Sequence, residues 1–276
     1  SNDFCWKVKW IDEHVVGVSG YFESSISFGT EQHVSEGSKD GFFAIFNITS
    51  SQWQSSISLG TSGIEEFRSF VPLSNGTFAL VASSSGNVTG TGITGAPTCD
   101  EHAPIVTICS LLMYVDSDLN PLSISTLHST GSVVGYDAIE VGTTGKILLV
   151  GQFTKTLHYD GGDIGVQGTS YTDIFIARFS QQGTNDLMSA FGGEGVDEAR
   201  SIINTATGFV VAGATESSQS SQSRVYKPTL GWQAPLGHGG KDILMLQVSS
   251  SGLITDGFTF GTNQSDSVGE HSVDEN

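Results

Sequence analysis

The side chains in this sequence that could do chemistry are three cysteines, seven histidines and several paired acids. Cys99 and Cys109 flank a short excursion, CDEHAPIVTIC, of a length that a disulfide can staple in an extracellular protein. Cys5 is then left over, either as a small buried hydrophobe or as a thiol open to another molecule. A metal site of Cys99, His102 and Cys109 would lack a nearby fourth ligand. The histidines, at 14, 33, 102, 128, 158, 238 and 271, are dispersed, and neither HExxH nor a nucleophile elbow is present. No catalytic residue is therefore assigned, and the expectation is a protein that is not an enzyme. Asp116, Asp118 and Asn120 alternate oxygen donors as a calcium loop does, yet Pro121 replaces the required Gly and Leu127 stands where the closing Glu belongs. A hairpin turn is expected there, with no metal or other cofactor assigned and a structural calcium as the alternative. Glu65, Glu66, Asp197 and Glu198 occupy matching positions and are read as solvated acids opposite Arg68 and Arg200, a rim calcium being the alternative. Asn47, Asn75, Asn87 and Asn263 each open an N-glycosylation sequon in a predicted turn, although Asn75-Gly76 is also a favoured hairpin turn in its own right. The GxGxxG at Gly90, Gly92 and Gly95 runs into Ala96-Pro97 rather than a helix, so a dinucleotide site is not expected.

The elements that must position these groups follow from composition. The chain has 276 residues, 14% of them charged, with 35 Gly and a formal charge of -18. That charge argues against nucleic acid or an anionic membrane surface as a partner. Long surface helices need more Glu, Lys, Arg, Leu and Ala than this, so the fold should be all-β. No apolar run is long enough for a membrane-spanning helix, so membrane insertion is not expected. The opening residues carry no signal-peptide pattern, as expected of a processed or excised chain.

A repeat organises the sequence. KDGFFAIF (39–46), TDIFIARF (172–179) and KDILMLQV (241–248) place Asp40, Asp173 and Asp242 at the start of equivalent strands. GTSGIEEFRS (60–69) matches GGEGVDEARS (192–201), so the two series share one spacing. The copy near residue 107 lacks the Asp and carries the cysteine excursion. Each unit reads as four short strands, in the third unit DIFIARF, NDLMSAFGG, EARSIINTA and GFVVAGAT. Ser24 to Ser38, Thr91 to Pro104 and Ser217 to Val225 read as linkers. Four-stranded units at a fixed spacing imply a β-propeller of about four units. The boundaries are 1–29 for an N-terminal half-blade, 39–88, 107–156 and 172–218 for three units, and 241–276 for a C-terminal half-blade.

Residues 15–46 and 147–179 resemble the bacterial seven-bladed β-propeller repeat family: a valine-rich strand, Gly, an aromatic, a strand ending in Phe-Gly, then Asp and an apolar strand. The resemblance implies a structural repeat with no shared catalytic residues, in about four units here. On this reading each terminus is half a blade. Burying Phe4, Trp6, Val8 and Trp10 is worth about 6–12 kcal/mol as an upper bound, so the halves should find partners. Assembly is assigned to Phe4, Trp6, Val8 and Trp10 at one end and to Ile243, Met245, Phe258 and Phe260 at the other. The expected function is an extracellular or cell-surface structural protein, a protomer of a fibre or surface layer, polymerising with itself by head-to-tail strand complementation. The alternative is a monomeric secreted propeller that binds glycans or proteins through aromatics such as Trp53 and Trp232.

Overall fold

A computed structural model of the chain describes residues 2–86, 88, 99, 108–159, 162–165, 172–193, 195–216, 224–226, 240–262 and 264–266. The described residues form an all-β protein without helix, divided into two compact units, Ser1–Leu127 and His128–Asn276.

Unit 1 holds β1 (Phe4–Asp12), β2 (Val15–Phe22), β3 (Ser25–Phe28), β4 (Glu31–Val34), β5 (Asp40–Asn47), β6 (Gln52–Leu59), β7 (Glu65–Pro72), β8 (Phe78–Ser84), β9 (Cys109–Val115) and most of β10 (Pro121–Ser129). Its first antiparallel sheet runs β1-β2-β5-β6, its second β7-β8-β9-β10, and β3–β4 is a separate hairpin. The middle strands are near-continuous apolar runs because both of their faces are covered; β8 (FALVASS) and β9 (CSLLMYV) are buried at every residue. Phe43 of the first sheet meets Phe70 and Phe78 of the second, with ring centroids 4.7 and 5.5 Å away. Gly17 admits this contact, since a Cβ there would lie 2.5 Å from the Phe70 ring. The β3–β4 hairpin covers part of the other face, with Phe28 packed on Phe22, Phe42 and Ala44.

Unit 2 holds β11 (Val133–Glu140), β12 (Ile147–Thr154), β13 (Thr156–Tyr159), β14 (Gly162–Gly165), β15 (Thr172–Phe179), β16 (Asn185–Gly192), β17 (Asp197–Thr205), β18 (Gly208–Thr215), β19 (Arg224–Tyr226), β20 (Asp242–Ser249) and β21 (Ile254–Phe260). The third sheet is β11-β12-β15-β16 with β19 added beside β16, and the fourth is β17-β18-β20-β21. Leu148, Val150 and Ile176 of the third sheet form one core with Val211, Leu246 and Val248 of the fourth.

The repeated Asp and Gly have one physical cause. Asp40, Asp173 and Asp242 are buried at the start of the third strand of their sheets. Each carboxylate lies over the glycine that ends the fourth. A Cβ would sit 1.9 Å from Asp40 Oδ2 at Gly60, 2.2 Å from Asp173 Oδ1 at Gly192 and 1.7 Å from Asp242 Oδ1 at Gly261. In the second sheet the pairing register puts Cys109 at the Asp position and His128 at the Gly position. The departure is therefore concerted: where the carboxylate is gone, so is the glycine.

The sheets are phased differently from the sequence reading. β1–β2 continue directly into β5–β6, and β20–β21 pair with β17–β18, so each terminal hairpin already belongs to a four-stranded sheet of its own chain. The half-blade boundaries at 29 and 241 fall inside the first sheet and beside the middle of the fourth. A repeat spacing fixes the length of a unit but not where it starts, and the strands pair third and fourth with the next first and second. The expected linker Ser24 to Ser38 contains the β3–β4 hairpin, while those at 91–104 and 217–225 lie almost wholly outside the described residues.

Candidate functional site

Exposed apolar surface gathers on two strands. On β1, Phe4, Val8 and Trp10 are 45, 54 and 60% exposed, and on β21 Phe258 and Phe260 are 44 and 53% exposed. Among the described residues each strand has a neighbour on one side only. Val8 and Trp10 share a face with Val18 and Val16, beside the area that the β3–β4 hairpin covers. Phe258 and Phe260 pair with Met245 and Ile243, so these four lie on one face of the fourth sheet, while Leu244 and Leu246 point into the core of unit 2. Ile243 and Met245 were expected on an edge. β20 is bonded on both sides, so they contribute half-buried side chains and no free backbone.

Trp6 has a different role from its neighbours. The first strand of every sheet carries a bulge at the same place, its pairing skipping Trp6, Arg68, Tyr136 and Arg200 in turn. A bulge re-aims the extra side chain. In unit 1 the Arg68 guanidinium lies 4.2 Å from the centre of the Trp6 ring, and in unit 2 Arg200 lies 4.3 Å from that of Tyr136. Glu66 bridges Arg68 at 2.5 Å and Lys39 at 3.5 Å, and Lys39 sits over Tyr21 at 4.0 Å. Glu198 bridges Arg200 and Lys241 in the same way. The acids expected to be solvated are thus buried, with Glu66 and Glu198 neutralised by the chain's own cations.

Glu65 and Asp197 are fully buried caps for the loops before β7 and β17. Glu65 accepts from the Thr61 amide (2.8 Å) and the Thr61 and Ser84 hydroxyls (2.7 Å each). Asp197 accepts from the Gly193 amide (3.0 Å) and the Thr215 hydroxyl. Asp266 repeats the cap, accepting from the Thr262 amide at 2.8 Å. Burial raises the Glu65 carboxyl above its ordinary pKa, against the opposing effect of these hydrogen bonds. A raised folded value favours the protonated form, so its contribution is fully present below the unfolded pKa and is lost as pH rises through the folded one. Comparing thermal unfolding of the native chain and Glu65→Gln between pH 4 and 7 should show the native chain's relative stability falling as pH rises. A difference that stays constant with pH would contradict this assignment.

A polar chain missed by sequence reasoning ties the hairpin to β6. His33 Nε2 lies 2.8 Å from Ser56 Oγ, Ser58 Oγ lies 3.0 Å from His33 Nδ1, and Ser56 donates to Glu31. Burial lowers the His33 pKa, and Glu31 pulls it the other way. Period-two alternation is the only sequence signal for it: Glu31 and His33, and Ser56 and Ser58, each share a face.

The remaining expected sites are placed as follows. Cys99 and Cys109 form a disulfide, Cα atoms 5.7 Å apart, as chains in an oxidising environment do, and Cys5 is an exposed thiol. Asp116 Oδ1 accepts from the Asp118 and Asn120 amides (2.9 and 2.8 Å), and Asn120 Nδ2 reaches Oδ2 at 3.0 Å, making a hairpin turn with Leu119 at φ 63°. These bonds, led by Asn120, lower the Asp116 pKa. No group of three or more His, Cys, Asp or Glu among the described residues is arranged to hold a metal ion. Asn47 and Asn75 occupy turns, and Asn75 Oδ1 accepts from the Thr77 amide and hydroxyl. Asn87, Asn263, His102 and Trp232 lie outside the described residues. Trp53 packs edge-on against Phe28 and Phe46. No known family model and no curated protein matches the chain.

Proposed function

We propose that this chain is a non-enzymatic structural protein, secreted or displayed at a cell surface, whose sheets stack in the manner of a propeller and which polymerises head-to-tail through its first and fourth sheets. The observation that carries the reading is the concentration of large exposed apolar side chains on β1 and β21, each an edge strand of its sheet among the described residues. Scattered single hydrophobics need no explanation, but grouped ones on open strands mark a protein contact. The disulfide is compatible with an extracellular location. Two different surfaces meeting head-to-tail give an open chain of subunits when the rotation does not close.

Sedimentation of the purified chain over a wide concentration range, with electron micrographs of the same samples, tests this. Regular oligomers or filaments are expected. Trp10→Glu and Phe260→Glu should each weaken association at least about tenfold, and because each keeps one intact end, their mixture should form pairs and stop there. A 29.0 kDa particle at every concentration would overturn the reading.

A further inference from the structure

The two units carry topologically equivalent hairpins, and among the described residues only one of them has a third strand. Each is inserted between the second and third strands of its sheet. Each begins at a left-handed residue, Ser24 (φ 77°) after Phe22 and Lys155 (φ 59°) after Phe153. The last pair of each hairpin has the same spacing, Phe28 with Glu31 and Tyr159 with Gly162. Ser25, Ile26, Ser27 and Phe28 therefore correspond to Thr156, Leu157, His158 and Tyr159. In unit 2, β13 pairs on its outer side with the end of a fourth strand: His158 is opposite His128, Leu157 is opposite Ser129, and the Thr130 amide donates to Thr156 O at 2.9 Å. In unit 1, β3 pairs with β4 alone among the described residues. Its bonds to β4 use Ser24, Ile26 and Phe28, so the backbone of the exposed Ser25 and Ser27 points outward, as that of Thr156 and His158 does.

We infer that β3 is an acceptor edge for the end of β21 from a second copy of this chain. The inference rests on the head-to-tail reading and gives it a register. The occupied hairpin belongs to the third sheet and captures the end of the second sheet's fourth strand; by the same step the first sheet's hairpin would take the fourth strand of another copy's fourth sheet, β21, which is an edge strand among the described residues. Its last residue, Phe260, pairs with Ile243 as Leu127 pairs with Ser110, which makes Gly261 the counterpart of His128 and Thr262 that of Ser129. Ser27 should then lie opposite Gly261 of the neighbouring copy, and Ile26 opposite its Thr262. Backbone pairing supplies the attachment, and the exposed Phe260 is carried in beside the hairpin.

The full chain tests this through two variants. Ser27→Pro removes one outward amide while leaving every bond between β3 and β4, and should weaken association at least tenfold. Ile26→Cys combined with Thr262→Cys, in a Cys5→Ser background, should give a covalent ladder of dimers and higher species on non-reducing gels. The cross-link is read on the assembled protein and holds even if the proline variant fails to fold. Assembly that proceeds unchanged in Ser27→Pro with no ladder would overturn this inference and leave the head-to-tail reading standing. A cross-link that runs at monomer mass would overturn it in favour of closure within one chain. A double-cysteine chain that stays monomeric, alongside a native chain that never associates, would overturn both.

Discussion

Gly192→Ala should destabilise unit 2 by about 1–3 kcal/mol, the range for overpacking a close-packed site. The new Cβ would meet not only Asp173 Oδ1 but also its Cγ at 2.3 Å and Cβ at 2.8 Å, so rotating the carboxylate gives no escape. The cause can be isolated. In an Asp173→Ala background the two closest of these contacts are gone and only the one to Cβ remains, so part of the penalty should vanish, leaving a coupling of at least about 1 kcal/mol between two residues in contact. Calorimetry reads the total, and hydrogen exchange in β15 and β16 locates it. Equal penalties in both backgrounds would show that the carboxylate is not what excludes a side chain. The second sheet has already run a natural version of the experiment, with Cys109 and His128 standing where the Asp and Gly do elsewhere.

Breaking the Cys99–Cys109 bond is the second large effect. The closed loop is short, and the chain-entropy argument gives a loss of about 2–3 kcal/mol for removing it. Cys109→Ser, Cys99→Ser and the double variant should lose similar amounts, since each deletes the same bond. Three of the four tryptophans, Trp6, Trp10 and Trp53, lie in unit 1, so their fluorescence during urea unfolding follows the unit that contains the disulfide. The midpoint should fall and the transition steepen, because the unlinked denatured chain exposes more surface. A midpoint unchanged on mutation and on reduction would mean that the loop is ordered without the bond.

The third strands were legible because their signal is redundant: an Asp followed by an unbroken apolar run, three times, in a chain with few charges. The fold class followed from that and from the Gly-rich turns. The turn at Asp116 was legible for a similar local reason, since its donors and acceptor lie within five residues. Phase was not legible. KDGFFAIF looks the same whether it opens a sheet or stands third in one, and only the long-range pairing of β2 with β5 decides between them. That mistake turned two complete sheets into apparent halves and placed Ile243 and Met245 on an edge they do not occupy. Glu66 and Glu198 were read as surface acids because, although Arg68 and Arg200 are close in sequence, the groups that cover these pairs are remote: Lys39 reaches Glu66 from the strand entrance of another sheet, and Trp6 lies sixty-two positions before Arg68. The β3–β4 hairpin was taken for a linker because Ser, Glu and Gln dominate it. Its conformation depends on Ser24 taking a backbone region that serine seldom visits.

The paired cations leave an electrical signature on the whole molecule. Lys39, Arg68, Arg200 and Lys241 are spent against Glu66 and Glu198, and Lys146 and Arg178 share Asp186. With only eleven basic residues to set against 29 acids, little positive charge is left to face the solvent. Two such molecules approach as like-charged colloids, held apart by their counterion clouds until dissolved salt compresses the cloud to a Debye length of about 8–10 Å. Contacts between apolar strands act over a shorter range than that repulsion. The proposed assembly should therefore respond to ionic strength: dilute media should keep copies dispersed, and added salt should let the short-range contacts take hold.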